Sequence, residues 1–486
     1  MFVSVLANSK SLNSAVRKNT FGLSKVLFGI LILMFSGAWF NLIHAQERPN
    51  KDSKLELGQH RLKQHEIKLK ETNISLSTVL EKVRRNDLAL LRQGIDADAF
   101  LEDANASTYL PDPVFFAAAQ NLPTDTFEFD QEPMTQIRLG VKQMLPKGDS
   151  LAIQQEIANI QATQQSSKQG SRWKSLKRNT ELAWLEAWHW QENLILIAED
   201  RVFLKQIHEF IQSLYQSGSK DQSDLLGAQL ELIKLDERQI EASQKQQRYR
   251  SQLNTLANED LGNARLNPEL TQFTPFDHLD KQNLLGAFQR HPDILTLEDS
   301  LNLSQQKVAL AEQEFEPTWG LEMSLGLRDG NNTDGSDRSN FLSAGINVQL
   351  PLFTQGKQRS KVSAAKLRYA SMKNRRDEAL KKMRFDYANV AAQYRDTVKH
   401  RQLYESKLLP ILKKQKQSAL QSYQVDKADF RLVSELSLKE QNAKIKHLRL
   451  RVDEQQLLAR IHYWVSNLAA STSTLTFTLR PEANTK

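Results

Sequence analysis

The sequence predicts a mainly α-helical protein with four β-strands, built as two tandem repeats of helix, strand, strand, long helix and helix. Three observations predict this class. The stretches from Asp149 to Tyr215 and from Lys357 to Ser422 hold one Gly and one Pro between them, which is typical of long helices. Short stretches between the helices alternate apolar and polar residues with the period of a strand. Landmarks of the chain also recur about 205 residues apart, which indicates an internal duplication.

Composition excludes several classes of protein. The 486 residues include no cysteine, so disulfides, thiolate metal sites and cysteine nucleophiles are absent. The net charge is +8, but four basic residues precede residue 46, where no acidic residue occurs. The remaining positive excess is too small to indicate a nucleic-acid partner.

The N-terminus predicts export. Basic residues precede an uncharged apolar run from Val26 to Ile43, and Ala45 then offers a small residue for cleavage. We interpret residues 1–45 as a signal peptide and residues 46–74 as a polar, mobile segment. The alternative is a signal-anchor helix, because the apolar run is long enough to span a bilayer.

Four landmark pairs define the duplication. Each pair keeps an offset of 204 to 208 residues: Arg85 and Arg290, Pro113 and Pro317, Pro146 and Pro351, Tyr215 and Tyr423. We place the first repeat at 75–267, the second at 268–470 and a C-terminal tail at 471–486.

Strands are expected at about 112–120, 134–145, 318–328 and 341–352. In "TWGLEMSLGL" every second residue is apolar, so one face of the strand is apolar and the other polar. The first strand alternates poorly and is expected mainly because the repeat requires it. The candidate residues of the apolar face are Ile137, Leu139, Val141, Trp319, Leu321, Met323, Leu325, Leu327, Leu342, Ile346 and Val348.

Long helices are expected at about 150–215, 224–257, 357–422 and 429–467. Their sparse apolar residues form the narrow seam that is typical of coiled coils. A Pro and then a Gly lie between each strand pair and the next helix, so we expect strand-to-helix turns at Pro146 and Gly148 and at Pro351 and Gly356.

The apolar strand face has two interpretations. It can pack on helices in a soluble sheet, or it can contact lipid. Four strands cannot close a barrel, and open edges are not tolerated in hydrocarbon. A lipid-facing sheet therefore requires several chains to pool their strands, and three chains would supply twelve, enough to close around a water-filled lumen.

The order of these features resembles the TolC family of outer-membrane efflux proteins over about residues 75 to 468. The resemblance is carried by "PMTQIRLGVKQMLPKG", "RHPDI" and "GINVQLPLF", each between long helices. It implies transmembrane β structure: a homotrimer with a 12-stranded β-barrel in the outer membrane, continued by a long α-helical barrel, or tunnel, across the periplasm. It also implies a passive exit duct, with a periplasmic adaptor (membrane fusion) protein and an inner-membrane pump as partners. The "EPMT" and "VKQMLP" residues resemble members associated with heavy-metal resistance.

In that family the turns between paired helices form the periplasmic tip and gate. The resemblance assigns Gly218 and Asp224 to the first turn, Tyr423 to a latch before the second turn, and Glu435 to an acidic constriction. Asp426 stands where the second turn usually has glycine.

Two further positions depart from the family pattern at this tip. Ala428 replaces a latch arginine and Leu432 replaces an acidic residue of the constriction. The resemblance therefore implies a carboxylate ring with fewer members. A solvated helix face remains the alternative interpretation for Asp224 and Glu435.

We find no catalytic constellation, cofactor motif or metal-ligand spacing. His60 and His65 lie five residues apart, on different sides of a helix, and His189 in "WHW" is interpreted as a packing residue. The sequence thus predicts a non-enzymatic outer-membrane duct. The alternative function is a periplasmic coiled-coil adaptor or scaffold that does not form an outer-membrane channel.

Overall fold

The computed structural model describes residues 73–219, 221–262, 264–275 and 281–465. The expected signal peptide, almost all of the polar segment 46–74 and the expected C-terminal tail lie outside the described residues. Within the described part, α-helix dominates and four strands form one sheet. The expected fold class, long helices with a few antiparallel strands, is confirmed.

Both repeats have the same order of elements. The first consists of α1 (Leu76–Asn86), α2 (Leu88–Ala106), β1 (Val114–Gln120), β2 (Gln136–Leu145), α3 (Ser150–Gln216) and α4 (Gln222–Ala257). The second consists of α5 (Lys281–Gln289), α6 (Pro292–Glu312), β3 (Thr318–Leu327), β4 (Phe341–Gln349), α7 (Lys357–Leu403), α8 (Leu409–Gln424) and α9 (Phe430–Val465).

The long helices differ between the repeats. α3 runs for 67 residues without a proline, about 100 Å at 1.5 Å per residue. Its counterpart is divided into α7 and α8 by a π-helical turn at Tyr404–Leu408. Pro410 accounts for the division, because it has no N–H to donate and its ring crowds the carbonyl four residues earlier. The Leu409 N–H donates to the Tyr404 carbonyl, the five-residue step of a π-helix.

The sheet is antiparallel with the order β1-β2-β3-β4, so β1 and β4 form its edges. The pairing of β2 with β3 joins the two repeats, with Val141 opposite Met323. The helices next to the sheet pack in the corresponding order, α2 on α3, α3 on α6 and α6 on α7. The sheet and the helical layer therefore have matching edges, β1 with α2 and β4 with α7.

Side chains near the ends of the shorter helices bind C-terminal carbonyls of the longer ones. Asn86 Nδ2 donates to the Ala257 carbonyl at the C-terminus of α4 (2.9 Å). The buried His291 ring lies 3.0 Å from the Tyr463 carbonyl near the C-terminus of α9. Both contacts satisfy terminal carbonyls that lack a partner within their own helix.

The apolar core is divided into clusters along the helices. The largest lies around Trp184, Leu185 and Trp188 of α3 and includes residues of α1, α4 and α9. Another, around Ile211 and Tyr423, joins α3, α4, α8 and α9 next to the turns that connect them. No α-helix in the described residues is long and apolar enough to cross a membrane.

Candidate functional site

The sheet has one apolar face that the rest of the described chain leaves exposed. Five β3 residues lie on it, with 39% to 54% of each exposed: Trp319, Leu321, Met323, Leu325 and Leu327. The residues between them point to the other face, and three are buried: Gly320, Ser324 and Gly326. Apolar residues outside and small or polar residues inside is the reverse of a soluble half-buried strand.

The neighbouring strands extend this face because the register aligns their apolar residues with those of β3. Leu139 lies opposite Leu325, which in turn lies opposite Leu342. The other expected residues of β2 and β4 fall on the same face: Ile137, Val141, Ile346 and Val348. The structure thus places all eleven candidates on one continuous surface, and each is exposed except the half-buried Val141.

Phe115 on β1 belongs to this face but was missed from the sequence. It lies opposite Val141 and is 79% exposed. The strand reads "VFFAAAQ", so both of its faces are apolar and alternation gives no signal. The register with β2 was the information needed to assign Phe115.

The other face of the sheet carries a polar network. Arg138 donates to Glu322 Oε1 (2.6 Å) and, through Nε, to Ser324 Oγ (2.7 Å). Its guanidinium lies over the Phe116 ring at 5.5 Å. Charged and hydrogen-bonding groups therefore point away from the apolar surface.

Glycines on the polar face lie beneath larger side chains. A Cβ on Gly140 would lie 2.5 Å from the Phe116 ring, and one on Gly326 would lie 1.8 Å from Gln136 Oε1. No side chain other than hydrogen fits at these positions without displacing the neighbour. Phe116 and Gln136 consequently lie flat against the sheet.

The turns at the ends of the two long-helix pairs have the same backbone geometry. Gly218 in the α3–α4 turn has φ +73°, and Asp426 in the α8–α9 turn has φ +57°. Each is followed by an N–H that donates back across the turn, Ser219 to Leu214 and Lys427 to Ser422, both at 2.8 Å. These are C-caps of the Schellman type, so Asp426 holds the left-handed conformation that the family pattern gives to glycine.

Tyr423 and Asp224 come together beside these turns. Tyr423 is 1% exposed, and its hydroxyl donates to Asp224 Oδ2 at 3.3 Å. The Tyr423 ring packs edge-on against Phe430 at 6.2 Å. Burial, followed by the Asp224 carboxylate, raises the pKa of Tyr423 well above its ordinary value. The hydroxyl is therefore held as a neutral hydrogen-bond donor.

Glu435 has a different environment. It is exposed on α9 and forms an ion pair with Lys439, one turn further along (2.7 Å). Lys439 lowers the pKa of the Glu435 carboxyl. The structure thus brings Tyr423 and Asp224 into contact, whereas the described partner of Glu435 is a lysine of its own helix.

The strand-to-helix turns contain a cluster of charges. Gly148 has φ +43°, and a Cβ there would meet Gln313 Oε1 at 2.2 Å. Nearby, Glu314 accepts from Lys147 (2.8 Å) and Lys361 (2.6 Å). These two hydrogen bonds lower the Glu314 pKa to about 2. Glu314 therefore links the start of three elements, α3, β3 and α7.

The other predicted turn residues lie at the same junctions. Pro146 directly follows β2, and Pro351 lies two residues beyond β4. Gly356 is the N-cap of α7 with φ −91° and ψ −87°. β4 ends at Gln349, three residues before the expected end, because the next proline cannot donate to a strand ladder.

Within the described residues no three His, Asp or Glu side chains lie close enough to hold a metal ion. His189 is 3% exposed and packs edge-on against Trp190 at 5.0 Å. Burial lowers the His189 pKa to about 4, as expected for a packed neutral imidazole. His60 and His65 lie outside the described residues.

No protein-family model and no curated protein matches the chain. Solved structures do. CusC, described for its folding and transmembrane channel formation, has a TM-score of 0.67 at 14% identity, covering 81% of this chain and 92% of CusC.

Two further structures are similar. The outer-membrane protein VceC of Vibrio cholerae has a TM-score of 0.67 at 15% identity, covering 80% of this chain and 95% of VceC. The CmeC outer-membrane channel of Campylobacter jejuni has a TM-score of 0.62 at 17% identity, covering 88% of this chain and 94% of CmeC. The chain therefore has the fold of these outer-membrane channels, which is the fold that its resemblance to the TolC family implies.

Proposed function

We propose that this protein is a passive outer-membrane exit duct of a tripartite efflux system. It receives substrates from an inner-membrane pump through a periplasmic adaptor and carries them across the outer membrane. Its barrel wall is the four-stranded sheet, pooled with the sheets of two further copies. Its tunnel is formed by the helices, and the α3–α4 and α8–α9 turns are the periplasmic tip.

The exposed apolar face of the sheet is the observation that supports this proposal most strongly. A soluble sheet buries its apolar face against helices, and here the described helices leave that face uncovered. The half-buried polar network on the opposite face fits a wall with lipid outside and water inside. The adaptor or scaffold alternative provides nothing to cover the face.

The matching edges of the two layers support a ring of copies. β1 and β4 each lack a partner on one side within the described chain. Along α2, Leu88, Leu91 and Ile95 recur at helical spacing and are 60% to 71% exposed. On α7, Leu367 is 69% exposed. In a head-to-tail contact, β4 of one copy would pair with β1 of the next, and α7 would pack on α2. Such a contact would cover both edges, and its repetition around a rotation axis would close a ring of copies.

Charge at the two helical edges is complementary. α2 carries four acidic residues and one arginine, whereas residues 357–384 of α7 carry eleven Lys and Arg and two acidic residues. α2 ends and α7 begins next to the sheet, so these stretches lie at the same level. Opposite charge across a contact favours this pairing over a symmetric one of α7 with α7.

The tip supplies a candidate gate. Tyr423 on α8 and Asp224 on α4 are hydrogen-bonded across the two helix pairs, so separation of the pairs requires this bond to break. Gly218 and Asp426 form the turns that such a movement would carry. The Glu435 side chains of three copies would add a ring of carboxylates, each offset by its own Lys439.

Arginine substitution on the two faces of the sheet tests the function. Met323→Arg or Leu325→Arg places charge on the proposed lipid face, at about 2–4 kcal/mol per site near the bilayer midplane. We expect loss of the protein from separated outer membranes and loss of export of a test compound. Asn347→Arg adds the same charge to the polar face and should leave both at normal levels.

The same fractionation can contradict the proposed function. Normal outer-membrane yield for Met323→Arg would mean that this face contacts protein, and the soluble scaffold would become the better explanation. Unfolding of the variants is excluded if helical circular dichroism of the extracted chains matches that of Asn347→Arg.

A further inference from the structure

A groove with a basic rim lies between α6 and α7, at the ends of these helices nearest the sheet. Its volume is about 1040 Å³, which is large enough for a small organic molecule. The cations at its rim include Lys307 on α6 and Lys357, Arg368 and Arg375 on α7. The Glu314 carboxylate is the acidic group of its lining, and Lys147 and Lys361 already bind it.

The cations of the rim lack acidic partners. Among the residues that the structure describes, Lys307, Lys357, Arg368 and Arg375 form no ion pair, in contrast to Arg376, which binds Glu298 and Asp377. Four such groups around one depression repel one another. An anion in the groove would relieve that repulsion and gain charge-assisted hydrogen bonds from the guanidinium groups.

The floor of the groove is apolar. It is formed by half-buried Leu310, Ala364 and Met372, with Ala365 buried beneath them. Ser360 and Ser371 add hydroxyl groups to the lining. Apolar floor and cationic rim together match a molecule with an apolar body and one anionic group.

The rim cations of the groove lie to one side of the exposed apolar edge of α7, where the contact between copies is proposed. At 100° per residue, Arg368 and Arg375 lie about 20° apart around α7 and about 80–100° from Leu367, the exposed apolar residue of its outer edge. Lys373 and Arg384 lie about 100–120° from Leu367 in the other direction. The two pairs of cations are therefore equally distant from the edge but on opposite sides of the helix.

We propose that this groove binds amphipathic organic anions. The biological role of this binding rests on the proposed function, since such an anion would be either an exported compound or a phospholipid of the adjoining membrane leaflet. The groove itself lies within one chain, so binding does not depend on assembly.

The test compares two variants with equal loss of charge. Naphthalene-1-sulfonate is titrated into the purified full-length protein and followed by isothermal calorimetry, with neutral naphthalene-1-sulfonamide as the ligand control. Arg368→Gln with Arg375→Gln removes two rim cations, and Lys373→Gln with Arg384→Gln removes two cations from the other side of α7. We expect at least a tenfold loss of sulfonate affinity in the first variant and less than a twofold change in the second.

Equal affinity in both variants, or no preference of the wild type for sulfonate over sulfonamide, would overturn the proposal. Competition by phosphatidylglycerol in mixed micelles would support it and identify a lipid as the source of the anion. Sulfonate binding without such competition would support it and indicate an exported compound. Outer-membrane fractionation of the same variants tests the proposed function separately. A variant can lose sulfonate binding and still be found in the outer membrane.

Discussion

Asp426 shows how a single residue departs from the pattern around it without changing the fold. Its φ of +57° matches the φ of +73° at Gly218, and the two residues are 208 apart, the same offset as the tyrosines before them. An L-residue in this region is strained, although Asp tolerates it better than most. The α8–α9 turn therefore keeps its geometry at a cost in local stability.

Asp426→Gly should stabilise this turn by about 0.5–1 kcal/mol. Hydrogen exchange measured by mass spectrometry should be about two- to fivefold slower for amides of residues 423–427. Gly218→Ala is the mirror control and should speed exchange at the α3–α4 turn. Unchanged or faster exchange in Asp426→Gly would show that contacts of the aspartate side chain outweigh the backbone strain.

At the scale of elements, Glu314 holds the junction between sheet and helices. It contacts Lys147 before α3 and Lys361 in the first turn of α7, and it lies just ahead of β3. One carboxylate thus ties both repeats at the point where each changes from strand to helix. Such a network fixes geometry more effectively than isolated surface pairs.

The stabilising contribution of the Glu314 charge should be present at neutral pH and lost in acid. Its pKa is lowered to about 2 by the two lysines, so its contribution is complete above the unfolded value of about 4.5 and lost as pH falls toward 2. With solvent screening we expect Glu314→Gln to cost about 1 kcal/mol at neutral pH.

Thermal unfolding of the wild type and of Glu314→Gln, measured from pH 8 to pH 3, checks this expectation. The difference between their midpoints should be constant down to about pH 5 and should shrink below it. Glu316→Gln, two residues further along, is the matched control and should show no such convergence. A difference that persists unchanged at pH 3 would contradict the role of the charge.

Most of the helices and strands were predicted from the alternation of apolar and polar residues and from the internal repeat. The predictions that failed did so for physical reasons. β3 was evident because apolar and polar residues alternate strictly, whereas β1 is apolar on both faces. β1 was expected mainly because the repeat requires it, and the pairing with β2 was needed to assign its faces. The division of α7 from α8 was not predicted, since a proline interior to a helix permits either a kink or a π turn. Tyr423 and Asp224 were each assigned to the tip through a family resemblance, and the hydrogen bond between them was not predicted, because no local pattern links residues 199 apart.

At the scale of the whole molecule, one chain leaves both layers unfinished. The sheet and the helices end at the same edges, with apolar residues and opposite charges on the two sides. The floor of the groove and the polar network, by contrast, lie within a single chain, whereas Lys357, Arg368 and Arg375 of the rim also belong to the basic stretch of α7. Substitutions in the apolar row of α2 should therefore affect assembly without affecting ligand binding.

Ile95→Asp should disrupt assembly, because it places a charge in the exposed apolar row of α2, at a side chain that is 60% exposed within one chain. Mass photometry of detergent-extracted protein should show trimers for the wild type and mainly monomers for Ile95→Asp. Ile95→Val, which keeps the residue apolar, serves as the control and should remain mostly trimeric. A trimer that survives Ile95→Asp would place the contact between copies elsewhere on the chain.

If the protein is the duct proposed above, the glycines beneath Phe116 and Gln136 have a consequence for the rate at which solutes pass the sheet. Because these side chains already lie against the strands, no rotamer has to swing aside when a solute moves past them. A wall without movable side chains at these positions offers few binding sites for a solute. Flux through this segment should therefore rise in proportion to solute concentration without saturating. Any saturation seen in export would then originate in the pump or at the tip. In the outermost part of the path, flux would depend only on the concentration difference of the solute.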